Sequence, residues 1–187
     1  MKGMCDTMGL KEYFRDKILK KSSSANHNGQ TNLKEETGKL DTKTESLFNQ
    51  LIKREEGFVF SVIMPIYNTS SYLNEAIDSI INQNFPFEKV QIILIDDGST
   101  DESAEICSQY TERYPENIIY IHQENQGQSF ARNNGIDHAE GKYLNFLDSD
   151  DKLEADALRE VYCHFIKFAD EVDVITIPRY NFGSVSK

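Results

Sequence analysis

The sequence predicts an α/β protein whose mostly parallel sheet carries helices on both faces. Three observations lead there. Short apolar runs alternate along the chain with stretches whose apolar residues repeat at helical spacing. The runs are unbroken and rich in β-branched side chains, as strands buried between two helical layers are. Polar, largely acidic clusters follow several of the runs, where a parallel sheet opens its ligand crevice.

The elements follow in order. Residues 58–64 (FVFSVIM) read as a buried strand stopped by Pro65. Leu73, Ala76, Ile77, Ile80 and Ile81 place one apolar face on a helix opened by Ser70 or Ser71. Residues 90–95 (VQIILI) form a second strand. Ser99 and Glu102 have the spacing of a capping box, ahead of a helix carrying Ala104, Cys107, Tyr110, Thr111 and Tyr114. A third strand spans 118–121, a short helix 128–139 and a fourth strand 142–147. Leu158, Val161, Tyr162, Phe165 and Ala169 mark a further helix, and 172–177 a fifth strand.

Charge divides the chain. Its 20 basic and 31 acidic residues leave a net charge of −11, yet the part before Gly57 is slightly basic, at +2. Residues 1–57 read as an appendage, with a polar, disordered linker at 21–40 between two weak amphipathic stretches. The first carries Leu10, Tyr13, Phe14 and Ile18 among five basic residues; the second carries Leu47, Phe48, Leu51 and Ile52. Docking on the main body or a partner is the plainer reading of both. For residues 10–21 the sharper one is peripheral contact with an anionic membrane surface. An acidic body is a poor direct binder of nucleic acid. Cys5, Cys107 and Cys163 are odd in number and far apart, which speaks for a reducing, cytoplasmic setting without a disulfide framework. No stretch approaches the ~18 apolar residues of a membrane span.

Three clusters stand at strand ends: Pro65, Ile66, Tyr67 and Asn68; the run DDGSTD from Asp96 to Asp101; and Asp148, Ser149, Asp150 and Asp151. Singly, each has a structural explanation as turn or cap chemistry. Together they crowd six carboxylates at two strand ends, which is costly unless a cation answers them. Hard oxygen ligands with open positions suit Mg²⁺ or Mn²⁺ bound together with substrate phosphates. Residues 148–159 lack the glycine and terminal glutamate of an EF-hand, and neither a P-loop nor a G-x-S-x-G elbow occurs. The four histidines show no zinc-ligand spacing with the cysteines.

The ordered motifs PIYN, DDGSTD, NQGQSFARNNG and LDSDD resemble the nucleotide-sugar-binding half of family 2 glycosyltransferases, which have the Rossmann-like GT-A fold, over residues 58–182. The resemblance implies that Tyr67 offers its ring to the base, with the backbone of Pro65 and Ile66 beside it. Asp97 accepts the base's ring N–H, which uracil, thymine and guanine present and cytosine and adenine do not. A UDP-sugar is the favoured donor. Asp96 is a supporting or ribose-proximal group, and Arg132 reaches the nucleotide or braces Asp97. Gly127 permits the turn that opens the helix carrying Arg132. Asp150 is the expected metal ligand, with Asp148 facing ribose or a metal-bound water, Ser149 in the same binding set, and Asp151 able to replace either carboxylate. The implied acceptor is a glycan or polysaccharide hydroxyl, met at the inner membrane face. In the family a carboxylate base lies downstream, and it is expected beyond Lys187, so 58–187 reads as a C-terminally truncated donor-binding domain. The competing expectations are a non-catalytic module that binds nucleotide sugar and metal beside a partner, and a doubly wound signalling or cofactor-binding domain.

Overall fold

A computed structural model describes residues 42–167 and residue 174. The basic stretch at 10–21, the linker at 21–40 and, apart from residue 174, the expected strand at 172–177 lie outside the described residues. In order come α1 (Thr42–Arg54), β1 (Phe60–Ile66), α2 (Ser70–Ile81), a 3₁₀ turn (Phe87–Lys89), β2 (Val90–Asp97), α3 (Ser103–Arg113), β3 (Ile118–Gln123), α4 (Gln128–Asp137), β4 (Tyr143–Phe146) and α5 (Ala157–Lys167). The chain divides into two compact units, one of them Ile52–Arg159; the described parts of the other run up to Leu51 and onward from Glu160. In that second unit the rings of Phe48 and Tyr162 meet edge-on, 5.9 Å apart.

The larger unit holds the sheet. Its described strands are all parallel, in the order β3-β2-β1-β4. Every residue of β1 and β2 is buried, as the unbroken apolar runs predict for central strands, whereas β3 is mostly half-buried and β4 alternates between half-buried and exposed, as strands with fewer neighbours do. Side chains alternate between faces along a strand. Ile63, Ile93 and Ile95 therefore share one face, where they pack with Ala131 of α4. On the opposite face α3 lies against β2 and β3, bringing Cys107 near Asp96. Burial pushes that thiol up to about 12, so Cys107 is a packing group.

Two expectations are corrected. Pro65 does not stop β1, which runs on through Ile66 with Pro65 opposite Ile95 of β2. The β4 side explains this: Ile63 O accepts the N–H of Leu147, and pairing to β4 ends at Ile63, so the missing N–H of Pro65 falls where no ladder bond is lost. The capping box of Ser99 and Glu102 does not form either. Asp101 does the capping instead, Oδ2 accepting Ser70 N–H and Oδ1 accepting Ser103 N–H, each at 3.0 Å. One carboxylate thus stands at the first residue of both α2 and α3, where the helix dipoles favour negative charge. Ser103 Oγ in turn accepts the N–H of Thr69.

Candidate functional site

The carboxyl end of β2 delivers two adjacent aspartates to opposite faces of the sheet. Asp96 turns toward α3 and is fully buried. Its Oδ1 accepts Ser99 N–H at 2.8 Å, and its Oδ2 meets Tyr120 O–H and His122 Nδ1, both at 3.0 Å. Burial works to raise the Asp96 carboxyl, but the hydrogen bonds from Ser99, His122 and Tyr120 outweigh it and hold the pKa below the ordinary value. Asp97 turns toward α4. Its Oδ1 accepts Gln123 Nε2 and Gln126 N–H and its Oδ2 accepts Gly127 N–H, all at 2.8 Å. The register explains the partners: His122 lies opposite Asp96 and Gln123 opposite Asp97, so each pair shares a face. Gly127, at φ +92°, makes the turn that opens α4, as its place in the sequence predicts.

The loop after β1 is tied on both sides. Asn68, with φ at +52°, donates its N–H to Ser99 Oγ at 3.0 Å and accepts Thr100 N–H on Oδ1 at 2.8 Å. Thr69 Oγ1 donates to Ser149 Oγ at 2.9 Å, reaching the loop after β4. That loop is a turn closed by Asp151 N–H on Asp148 O. Asp148 Oδ1 accepts Gln128 Nε2 at 3.0 Å and Arg132 Nη2 at 2.6 Å, both from α4. The bonds close a ring. It runs from the β1 loop to the β2 loop, from Asp97 to the start of α4, from α4 to Asp148, and back through Ser149 to Thr69.

Within this ring the expected residues fall into three groups. Pro65 and Ile66 are buried in β1, so only their backbone can meet a ligand, while Tyr67 beside them is 52% exposed. Asp97, Asp148, Ser149 and Arg132 are joined to the ring directly, whereas Asp96 serves its own turn. Asp150 stands exposed at the tip of the turn and Asp151 at its end. The geometry binds Arg132 to Asp148 rather than to Asp97, because Gln123 and the backbone at the start of α4 already surround Asp97. Arg132 Nε is buried without a hydrogen-bond partner, leaving a donor in reserve beside the ion pair. Sequence reasoning assigned no role to the tethers Asn68, Thr69, Gln123 and Gln128. Asn68 alone had a local signal, since Asn tolerates the left-handed region.

Among the described residues no three His, Cys, Asp or Glu side chains form a metal cage. The donors present nevertheless fit Mg²⁺ or Mn²⁺, which take one or two carboxylates and complete their shell with water and substrate phosphate. Asp148 and the exposed Asp150, two residues apart on one turn, are such a set.

The family model described as Glycosyl transferase family 2 matches residues 61–187. The minor teichoic acid biosynthesis protein GgaB of Bacillus subtilis is 49% identical over 119 residues, covering 64% of this chain and 13% of that protein. S. aureus TarS, solved in complex with UDP-GlcNAc, superposes with a TM-score of 0.56 at 28% identity, over 64% of this chain and 37% of that one. The mannosyltransferase PcManGT from Pyrobaculum calidifontis, in complex with GDP-Man and Mn²⁺, shares the fold with a TM-score of 0.52 at 22% identity, over 66% of this chain and 38% of that one. The chain thus spans well under half the length of each protein.

Proposed function

The chain belongs to glycosyl transferase family 2 and has the GT-A fold, and on that premise we propose that it binds a UDP-sugar at the carboxyl edge of its sheet for transfer to a glycan or polysaccharide hydroxyl. The observation that carries the proposal is the ring of hydrogen bonds joining the loops after β1, β2 and β4 to α4. It ties three motifs distant in sequence into one preorganised sheet edge.

In this reading the exposed Tyr67 ring stacks on the base, and the backbone of Pro65 and Ile66 lines the slot. Asp97, surrounded by N–H donors, is an acceptor and selects a base that presents a ring N–H. Asp96 is a supporting group that keeps the DDGSTD turn in shape. Arg132 holds Asp148 and turns its guanidinium toward the nucleotide, while Ser149 carries the link to Thr69. A divalent cation, Mn²⁺ or Mg²⁺, would be held by Asp150 with Asp148 or Asp151, and it supplies positive charge to offset that gathering on the departing diphosphate. That also accounts for pyrophosphate binding by a chain of net charge −11. The described residues provide the donor side of the chemistry. The TarS complex with UDP-GlcNAc supports a UDP-sugar, and the role of GgaB in teichoic acid biosynthesis supports a cell-surface polymer as acceptor, met at the cytoplasmic face of the membrane.

Calorimetric titration with UDP, with and without Mn²⁺, tests the proposal. Mn²⁺ should tighten UDP binding by roughly tenfold or more in the parent chain. Asp150→Ala should lose that increment while melting at the parent temperature. Binding indifferent to both metal and substitution would overturn the assignment. Turnover of UDP-GlcNAc by this chain would separate a transferase from a binding module.

A further inference from the structure

We propose that Asn134 and Gln123 are positioning residues that set the orientation of Asp97 and so its preference for a base with a ring N–H. The inference rests on the nucleotide-sugar reading of the site and adds to it a second layer of specificity. An ionised carboxylate only accepts hydrogen bonds, so the side chain facing it must present a donor. Gln123 does so with Nε2, 2.8 Å from Asp97 Oδ1. That leaves Gln123 Oε1 turned away, where an acceptor needs a donor of its own. Asn134 supplies it, with Nδ2 at 2.8 Å from Gln123 Oε1. The three side chains form a polarised file in which each amide has one workable orientation.

The file decides where Asp97 can still accept. Oδ1 already takes Gln123 Nε2 and Gln126 N–H, whereas Oδ2 takes Gly127 N–H alone. A carboxylate oxygen accommodates about two donors, so the remaining capacity lies on Oδ2. Without the bond from Asn134, the Gln123 amide is free to turn over and set Oε1 against the Asp97 carboxylate. That repulsion rotates the carboxylate and takes its free lone pair away from an incoming ring N–H. Uracil, with N3–H, loses a bond by that rotation, whereas cytosine, with a bare N3, has no such bond to lose. Asn134 lies on α4 two residues from Arg132, so one helix orients the base-reading carboxylate and the one beside the phosphates.

The test titrates the full chain with UDP and with CDP in the presence of Mn²⁺, following thermal unfolding in parallel. Asn134→Leu keeps the volume and removes the donor; Asn134→Asp replaces the donor with an acceptor and draws the Gln123 amide round. UDP affinity should fall severalfold in the first and about tenfold in the second. The ratio of UDP to CDP affinity should shrink in the same order, with unfolding temperatures close to the parent. Gln123→Ala should resemble Asn134→Asp in weakening UDP. Variants that weaken UDP and CDP equally, or that leave the ratio at its parent value, would refute the positioning role while leaving the UDP site intact. A parent chain that binds neither nucleotide would overturn the site assignment and this inference with it.

Discussion

Asn68 offers a sharp test of the ring, because its backbone and side chain do separable things. Its φ of +52° lies in the left-handed region, which costs an ordinary L-residue about 1–2 kcal/mol and Asn less. Its Oδ1 accepts Thr100 N–H at 2.8 Å and stands 3.3 Å from Thr100 Oγ1, a neutral interaction worth about 1 kcal/mol at this exposed position. Asn68→Ala loses the bond and meets the full backbone strain, so it should destabilise by about 2–3 kcal/mol, or roughly 6–10 °C in melting temperature. Asn68→Gly loses the bond but relieves the strain, and should come out about 1 kcal/mol more stable than the alanine variant. Asn68→Asp keeps the acceptor and should stay within about 0.5 kcal/mol of the parent. Thermal and urea unfolding of the four proteins measure this series. Since Tyr67 directly precedes Asn68, UDP affinity should decline in the same order. Equal stability of the alanine and glycine variants would show that the left-handed backbone carries no strain, and parent-like UDP binding in both would show that the tether does not position Tyr67.

The other expectations concern the frame of the site. Asp101 caps two helices, and although burial pushes its carboxyl up, the bonds from Ser103 and Ser70 prevail and hold the pKa at about 2 against an ordinary 3.8. A depressed carboxylate contributes its stability above the unfolded pKa, so ~1–2 kcal/mol, allowing for solvent screening, should disappear as pH falls from 3.8 toward 2. Asp101→Asn should flatten that part of the stability profile, and an unchanged profile would count against the double cap. A Cβ at Gly141 would lie 2.5 Å from Phe60 C and 2.7 Å from Ser61 Oγ, next to backbone that cannot yield. Gly141→Ala should therefore lose about 3 kcal/mol or more in chemical unfolding, and a melting temperature within a few degrees of the parent would contradict the close approach of this loop to β1.

The alternation of apolar runs with helical stripes is local physics: a run buried on both faces and a stripe of period 3.6 each read the same wherever the chain carries them. For that reason the four described strands, the helices between them and the clustering of PIYN, DDGSTD and LDSDD at one sheet edge were legible from residues alone. Sequence could not say which carboxylate does what. Asp96 and Asp97 are chemically identical neighbours, and only strand parity sends one to Tyr120 and His122 and the other to Gln123 and the start of α4. Nor could it choose Asp101 over Ser99 as the cap, since the second helix start served by that carboxylate arrives from 31 residues earlier. Arg132 finds Asp148 across 16 residues and Thr69 finds Ser149 across 80, pairings set by strand order and register. Motif chemistry is written along the chain, but hydrogen bonds act over about 3 Å, and only the folded sheet decides which groups come that close.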